Sequence, residues 1–326
     1  MKNIAIVCGG FSGEYEISIK SAGVVARHLN REKYIPYLIE IGEDRWFWND
    51  ADGIKYFVDK NDFSLNVAGQ KITFDGVFNA IHGTPGEDGK LQGYFDMLKI
   101  PYTSCNAATS AITFDKYLCN RFVNSYGIKT ARSYSFLRNE NFDVKKIAAE
   151  LGLPLFVKPA QSGSSVGVTK VSDINHLEDA VKIAWKVDKR VLIEEAVEGK
   201  EIACGMIKRG EEVLVFPLTE ILSKNDFFDY EAKYSDGLAD EITPADIPEE
   251  AEQDIKTLSV FLYKQMDCKG FVRFDYILTP GELYFLEVNS IPGISEASII
   301  PKQAQAFGLS IDELFDIAIE NMFEKK

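Results

Sequence analysis

Apolar positions open the chain as an unbroken run over residues 3–8 that ends at Gly9-Gly10. Such a run, bounded by glycines, fits a strand covered on both faces. The next segment spaces Ile19, Ala22, Ala26 and Leu29 three and four residues apart, which puts them on one helical face. Strand, loop, helix is an α/β opening. Further apolar runs predict strands at 34–41 and 76–81, and a short helix carries Leu91, Tyr94, Phe95 and Leu98 until Ile100-Pro101 breaks it.

A helical pattern over 115–126 stops at Gly127, a strand is expected near 130–134, and another helix stops at Gly152 before a strand at 155–158. Leu177, Ala180, Val181 and Ala184 mark the next helix. Strands are then expected at 190–195, 202–207 and 212–218, followed by a long polar stretch, 223–244, of the kind that is functional or mobile. A helix at 247–265, a hairpin at 270–289 and a last helix, opened by the capping box of Ser310 and Glu313, complete the chain. The pattern divides it into an α/β unit at 1–104, a central α+β unit at 105–190 and a C-terminal α+β unit at 191–326. No repeat or low-complexity tract interrupts it.

Composition narrows the function. The 326 residues are 46% apolar and 26% charged, the balance of a globular protein. A net charge of -14 and a pI near 4.8 argue against a nucleic-acid partner, which needs a basic face. Any anionic substrate must then meet local lysines. Cys8, Cys105, Cys119, Cys204 and Cys268 are scattered without a Cys-x-x-Cys pair, which fits a reducing cytoplasm rather than a disulfide framework. The first residues read as a buried strand, with neither a signal peptide's cleavage region nor the length to span a membrane.

The most informative segment is the hairpin, where Arg273-Phe274-Asp275 turns at Pro280-Gly281 and returns as Glu287-Val288-Asn289. With Asp275 opposite Glu287, Arg273 falls opposite Asn289, and all four polar side chains share one face. Val272, Phe274, Leu286 and Val288 are then expected on the other. Two carboxylates and an amide on a rigid surface suit Mg²⁺ or Mn²⁺, hard ions that take oxygen ligands. The same pattern also suits an exposed cross-strand salt-bridge ladder. A second segment places Lys158 at a strand end before Ser162-Gly163-Ser164-Ser165-Val166-Gly167, a loop able to present amide hydrogens to phosphate but lacking the Walker spacing. Near the start, Gly9-Gly10-Phe11-Ser12-Gly13-Glu14 fails the dinucleotide fingerprint because Cys8 stands where its first glycine belongs. His82 follows an apolar strand, where ligands bind in α/β sheets, although a lone histidine there is more often structural.

Together these segments resemble the ATP-grasp superfamily and, within it, the D-alanine:D-alanine ligases. The pieces occur in the family's order over nearly the whole chain: Glu14-Tyr15-Glu16-Ile17-Ser18, His82-Gly83 with Gly86-Glu87-Asp88-Gly89, Asp115-Lys116, Lys158 with its loop, residues 194–201, residues 227–234, Arg273-Phe274-Asp275, and Glu287-Val288-Asn289 through Pro292-Gly293. The resemblance implies a Rossmann-like N-terminal domain followed by two α+β lobes holding ATP between them.

Residue by residue, the resemblance implies that Asp275, Glu287 and Asn289 bind two Mg²⁺ or Mn²⁺ ions beneath the ATP phosphates. Lys116, Lys158 and the loop with Ser164 and Ser165 would hold those phosphates, and Lys233 would meet the transferred one. Glu194, Glu195 and Val197 would line the adenine pocket and Glu201 the ribose. Glu14, with Ile17 beside it, would take the ammonium of the first D-alanine and His82 its carboxylate. Ser298, Ile299 and Arg273 would receive the second, Arg273 and the Gly293 amide would stabilise the oxyanion, and Ser164 and Tyr234 would link the closing loop to Glu14. Phe228 and Glu195 depart from residues found in some relatives, while Tyr234 favours a dipeptide product, with D-serine left open as second substrate. A cytoplasmic enzyme is implied, and dimers are common in the family, though nothing in the sequence demonstrates one.

Overall fold

The computed structural model describes residues 1–223 and 239–324. Its first sheet contains β1 (Lys2–Gly9), β2 (Tyr34–Ile41), β3 (Trp46–Asn49), β4 (Lys55–Asp59), β5 (Ser64–Val67), β6 (Gln70–Ile72) and β7 (Gly76–Asn79), ordered β6-β5-β4-β3-β2-β1-β7. β1 is parallel to both β2 and β7, which is the expected Rossmann-like part. The run read from the sequence is buried on both faces. Ile4, Ile6 and Cys8 enter one apolar cluster with α1 (Tyr15–His28), whereas Ala5 and Val7 enter another with Ile39, Ile41 and Phe95. β3 to β6 extend this sheet as an antiparallel meander, packed through Trp46, Phe63 and Tyr94. α2 (Lys90–Leu98) covers the second cluster with Leu91 and Phe95.

α3 (Ala107–Phe114) and α4 (Lys116–Asn124) follow, each opened by a side-chain cap, from Asn106 and Asp115. The second sheet has the order β10-β9-β11-β8, formed by β8 (Ser133–Leu137), β9 (Leu155–Pro159), β10 (Thr169–Val171) and β11 (Arg190–Glu195). β8 begins a little later than the strand expected near 130–134, and β11 lies beyond the division expected at residue 190. α5 (Val144–Leu151) and α6 (Leu177–Val187) cover one face through Ile147, Leu151, Val181 and Ala184. The other face is left for Lys158, Leu192 and Glu194.

The third sheet runs β15-β14-β12-β16-β17, with β13 (Glu212–Val215) also paired to β12. Its strands are β12 (Lys200–Arg209), β14 (Thr219–Ser223), β15 (Ala239–Ile242), β16 (Phe271–Leu278) and β17 (Leu283–Asn289). α7 (Glu249–Gln265) packs on one face with Tyr276, Val272 and Phe285. On the opposite face Ile299, which opens α8 (Ile299–Phe307), meets Ala203 and Ile221. α9 (Ile311–Phe323) begins with the predicted capping box and joins the α1 cluster through Phe315, so the first and last units share a core. The second and third sheets meet at their edges, where Thr130 bridges Phe285.

Candidate active site

The hairpin has the register that its alternation requires. Asp275 pairs with Glu287 and Arg273 with Asn289. Between Asp275 and Tyr276 the register shifts, so Phe285 rather than Leu286 opposes Tyr276. This bulge corrects the expected core face: Phe285 is 2% exposed and joins Phe274 and Val288 in the apolar cluster, whereas Leu286 is only half-buried. The polar face is unaffected. Arg273 donates from Nε and Nη2 to the two oxygens of Asp275, at 2.8 and 2.7 Å, and Asn289 donates to Asp275 Oδ2 at 2.9 Å. Burial works against the Arg273 charge, but Asp275, Glu287 and Glu201 more than offset it and hold the guanidinium firmly protonated. Glu201 lies opposite Ile277 on the neighbouring strand, on this same face.

Lysines approach from the second unit. Lys116 opens α4, donates to the Ser162 carbonyl at 2.8 Å and stands 3.5 Å from Glu287, which ties the glycine and serine loop to the carboxylate face. Lys158 pairs with Glu194 at 2.5 Å, both nearly buried, and Asn120 of α4 donates to the other Glu194 oxygen at 3.3 Å. Ser164 and Ser165 both have positive φ, 49° and 57°, conformations that L-residues adopt at a cost and that gather at functional loops. Ser164 reaches Glu14 at 2.5 Å.

The residues expected on the substrate side lie around the starts of α1 and α8. Glu14 is its N-cap residue, Ile17 is half-buried in its first turn, and the buried Ser18 accepts from the Gly9 amide while donating to the Ala80 carbonyl. Both ring nitrogens of His82 are engaged by protein groups, Nε2 by Ser21 and Nδ1 by the Ile291 carbonyl, each at 3.0 Å. Gly293 lies against Ser298, whose hydroxyl meets Ser295 at 2.7 Å. Ser298 is the N-cap of α8 and Ile299 its first residue, a helix end suited to a carboxylate.

Of the residues expected at the adenine, Glu195 is engaged by Arg132, which donates to it from the backbone at 2.8 Å and from Nε at 2.6 Å. Val197 is half-buried in the connection from β11 to β12. Lys233, Tyr234 and Phe228 lie outside the described residues. Sequence reasoning gave Glu87 no role. Its carboxylate accepts from the Gly83 amide at 3.0 Å, and its pKa rises to about 8 through burial and the charge of Glu14. The acidic pair Glu87-Asp88 in a glycine-rich turn gives no sign in the sequence of which carboxylate is buried.

A Rossmann-like unit followed by two α+β lobes, with Lys116 of one against Glu287 on the carboxylate face of the other, defines an ATP-grasp enzyme. The family model described as D-ala D-ala ligase N-terminus matches residues 3–105, and that described as D-ala D-ala ligase C-terminus matches residues 122–320. The chain therefore belongs to the D-alanine–D-alanine ligase family of ATP-dependent, ADP-forming ligases. It is 46% identical to the D-alanine–D-alanine ligase of Flavobacterium johnsoniae, over 98% of this chain and 99% of that one. The D-alanine–D-alanine ligase of Bacteroides fragilis is 43% identical, over 99% of each. Among solved structures, the VanG D-Ala:D-Ser ligase from Enterococcus faecalis superposes with a TM-score of 0.86 at 35% identity, covering 98% of this chain and 99% of that one. D-alanine–D-alanine ligase from Bacillus anthracis complexed with ATP does so with a TM-score of 0.78 at 27% identity, covering 99% and 97%.

Proposed function

We propose that the protein ligates two D-alanine molecules into D-alanyl-D-alanine through a D-alanyl phosphate, in the cytoplasm, as a step towards peptidoglycan. The observation that carries this reading is the polar hairpin face, Arg273, Asp275, Glu287 and Asn289 in register, with Lys116 against it.

A carboxylate resists amine attack because it is anionic and lacks a leaving group, so the γ-phosphoryl group of ATP is transferred to it first. That step depends on positioning and on neutralising oxygen charge. Lys116 and Lys158 supply fixed positive charge at the phosphates, while the loop carrying Ser164 and Ser165 covers them. Asp275, Glu287 and Asn289 form an oxygen donor set of the hard type, fit to hold two Mg²⁺ or Mn²⁺ ions, which when bound neutralise phosphate charge. Glu14 holds the ammonium of the first D-alanine. The second enters at Ser298 and Ile299, its neutral amine attacks the acyl phosphate carbon, and Arg273 with the Gly293 amide stabilises the oxyanion before phosphate leaves. A D-serine acceptor is the second reading, favoured by the likeness to the VanG enzyme, and product analysis from mixed D-alanine and D-serine decides between them.

The acyl phosphate is tested with D-alanine carrying ¹⁸O in its carboxylate. One labelled oxygen is expected in the released phosphate. Phosphate released without label excludes the intermediate.

A further inference from the structure

The contacts of α1 reach both ends of the site. Glu14 stands at the start of the helix, and Ser18 fixes its first turn to the ends of β1 and β7. One turn later Ser21 meets His82, whose other ring nitrogen meets the carbonyl of Ile291. Ile291 lies between Asn289, on the carboxylate face, and Gly293, at the oxyanion position. Ser21, His82 and Ile291 are 1%, 5% and 6% exposed, so each contact is made away from water.

The partners define the protons. A carbonyl only accepts, so Nδ1 carries the ring hydrogen, and in the neutral ring Nε2 accepts from the Ser21 hydroxyl. Every polar atom of the imidazole is then paired without a charge. Burial disfavours the protonated ring and lowers its pKa, against the opposing influences of Glu14 and the Ile291 carbonyl.

We infer that Ser21, His82 and the Ile291 carbonyl form a buried neutral tie that places the loop carrying Gly293 and Ser298 relative to Glu14, making Ser21 a positioning residue for the second amino acid. This rests on the ligase reading above. The tie acts through the backbone of the acceptor-side loop, so its loss affects the acceptor more than the donor. Removing the Ser21 hydroxyl leaves Nε2 buried and unpaired, which loosens the link at one end while Ser18 continues to anchor the helix.

The test is steady-state kinetics of the full-length enzyme with ATP and magnesium, resolving separate KM values for donor and acceptor D-alanine. Ser21→Ala is expected to raise the acceptor KM about tenfold and to leave the donor and ATP KM values within about threefold. Ser21→Cys, nearly isosteric and a weaker donor, should fall between. If the tie acts as one unit, Ser21→Ala combined with His82→Gln costs no more than His82→Gln alone. An unchanged acceptor KM, a rise confined to the donor, or a lowered melting temperature with all kinetic constants intact would each overturn the inference. Wild-type enzyme with no D-alanine turnover would instead remove the function itself, and the tie with it.

Discussion

Ser164 and Glu14, 150 positions apart in the chain, are joined by a 2.5 Å hydrogen bond from hydroxyl to carboxylate. In the proposed function this bond connects the loop that covers the phosphates to the loop that receives the first amino acid. A Cβ added at Gly163 beside it would fall onto the Glu14 carboxylate, which would have to move. Ser164→Ala is expected to lower kcat/KM for the donor by about 10- to 100-fold, the range for a hydrogen bond to a charged group. Gly163→Ala should reproduce that defect by displacing Glu14, and stopped-flow measurement of donor binding checks both.

Arg273 has two tasks in this account, and they separate experimentally. It holds both oxygens of Asp275, which is 1% exposed, and in the proposed reaction it stabilises the oxyanion. Arg273→Ala should therefore slow turnover by about 10²- to 10³-fold and also destabilise the protein by about 3 kcal/mol, since a buried carboxylate loses its charged partner and keeps the Asn289 amide. Arg273→Lys restores charge but not the two-pronged contact, so it recovers stability only in part. Urea unfolding beside turnover measurement resolves the two losses.

Glu195 is a departure whose consequence becomes clear in the structure. Its carboxylate is held by Arg132, at 62% side-chain exposure for the arginine and 18% for the glutamate, and is turned to that partner. Glu195→Ala should change the KM for ATP by less than about threefold, in line with a partly exposed ion pair. Glu195→Lys sets two positive charges together and should lower the melting temperature. A large ATP effect from the alanine variant would show that the carboxylate does face the nucleotide.

Glu87 supplies a pH dependence with a definite sign. Its pKa is raised from 4.5 to about 8, by burial first and then by Glu14 and Glu287, against the Gly83 amide and Lys116. A carboxyl that holds its proton more tightly in the folded state contributes stability below its unfolded pKa, and that contribution fades as pH rises towards the folded value. Between about pH 4.5 and 8 the wild type should lose stability relative to Glu87→Gln, which is neutral throughout. Melting temperatures of both proteins across that window, in buffer without nucleotide or divalent metal, give the comparison. Parallel curves would show that Glu87 titrates normally.

The polar face of the hairpin was legible in the sequence because a one-residue slip would turn Arg273, Asp275, Glu287 and Asn289 onto opposite faces. Leu286 was misplaced because a bulge changes the parity of one strand, and parity is all that alternation reveals. β3 to β6 escaped notice for a different reason. These strands are short, and turn residues separate the aromatics of one from those of the next, as Trp48 from Tyr56, so no window holds a clear period. Ser21 and Glu87 are single polar residues whose importance arises from what the fold brings against them, His82 in one case and the Gly83 amide in the other. The family order of motifs points to segments spread along the chain, whereas these contacts depend on tertiary placement.

In the proposed function D-alanine is both donor and acceptor. Phosphate release from ATP and magnesium, measured against a panel of single D- and L-amino acids, tests it most directly. D-Alanine alone should drive release, with one D-alanyl-D-alanine formed per phosphate. Failure of D-alanine to stimulate release, or stronger release with an L-amino acid, would contradict it.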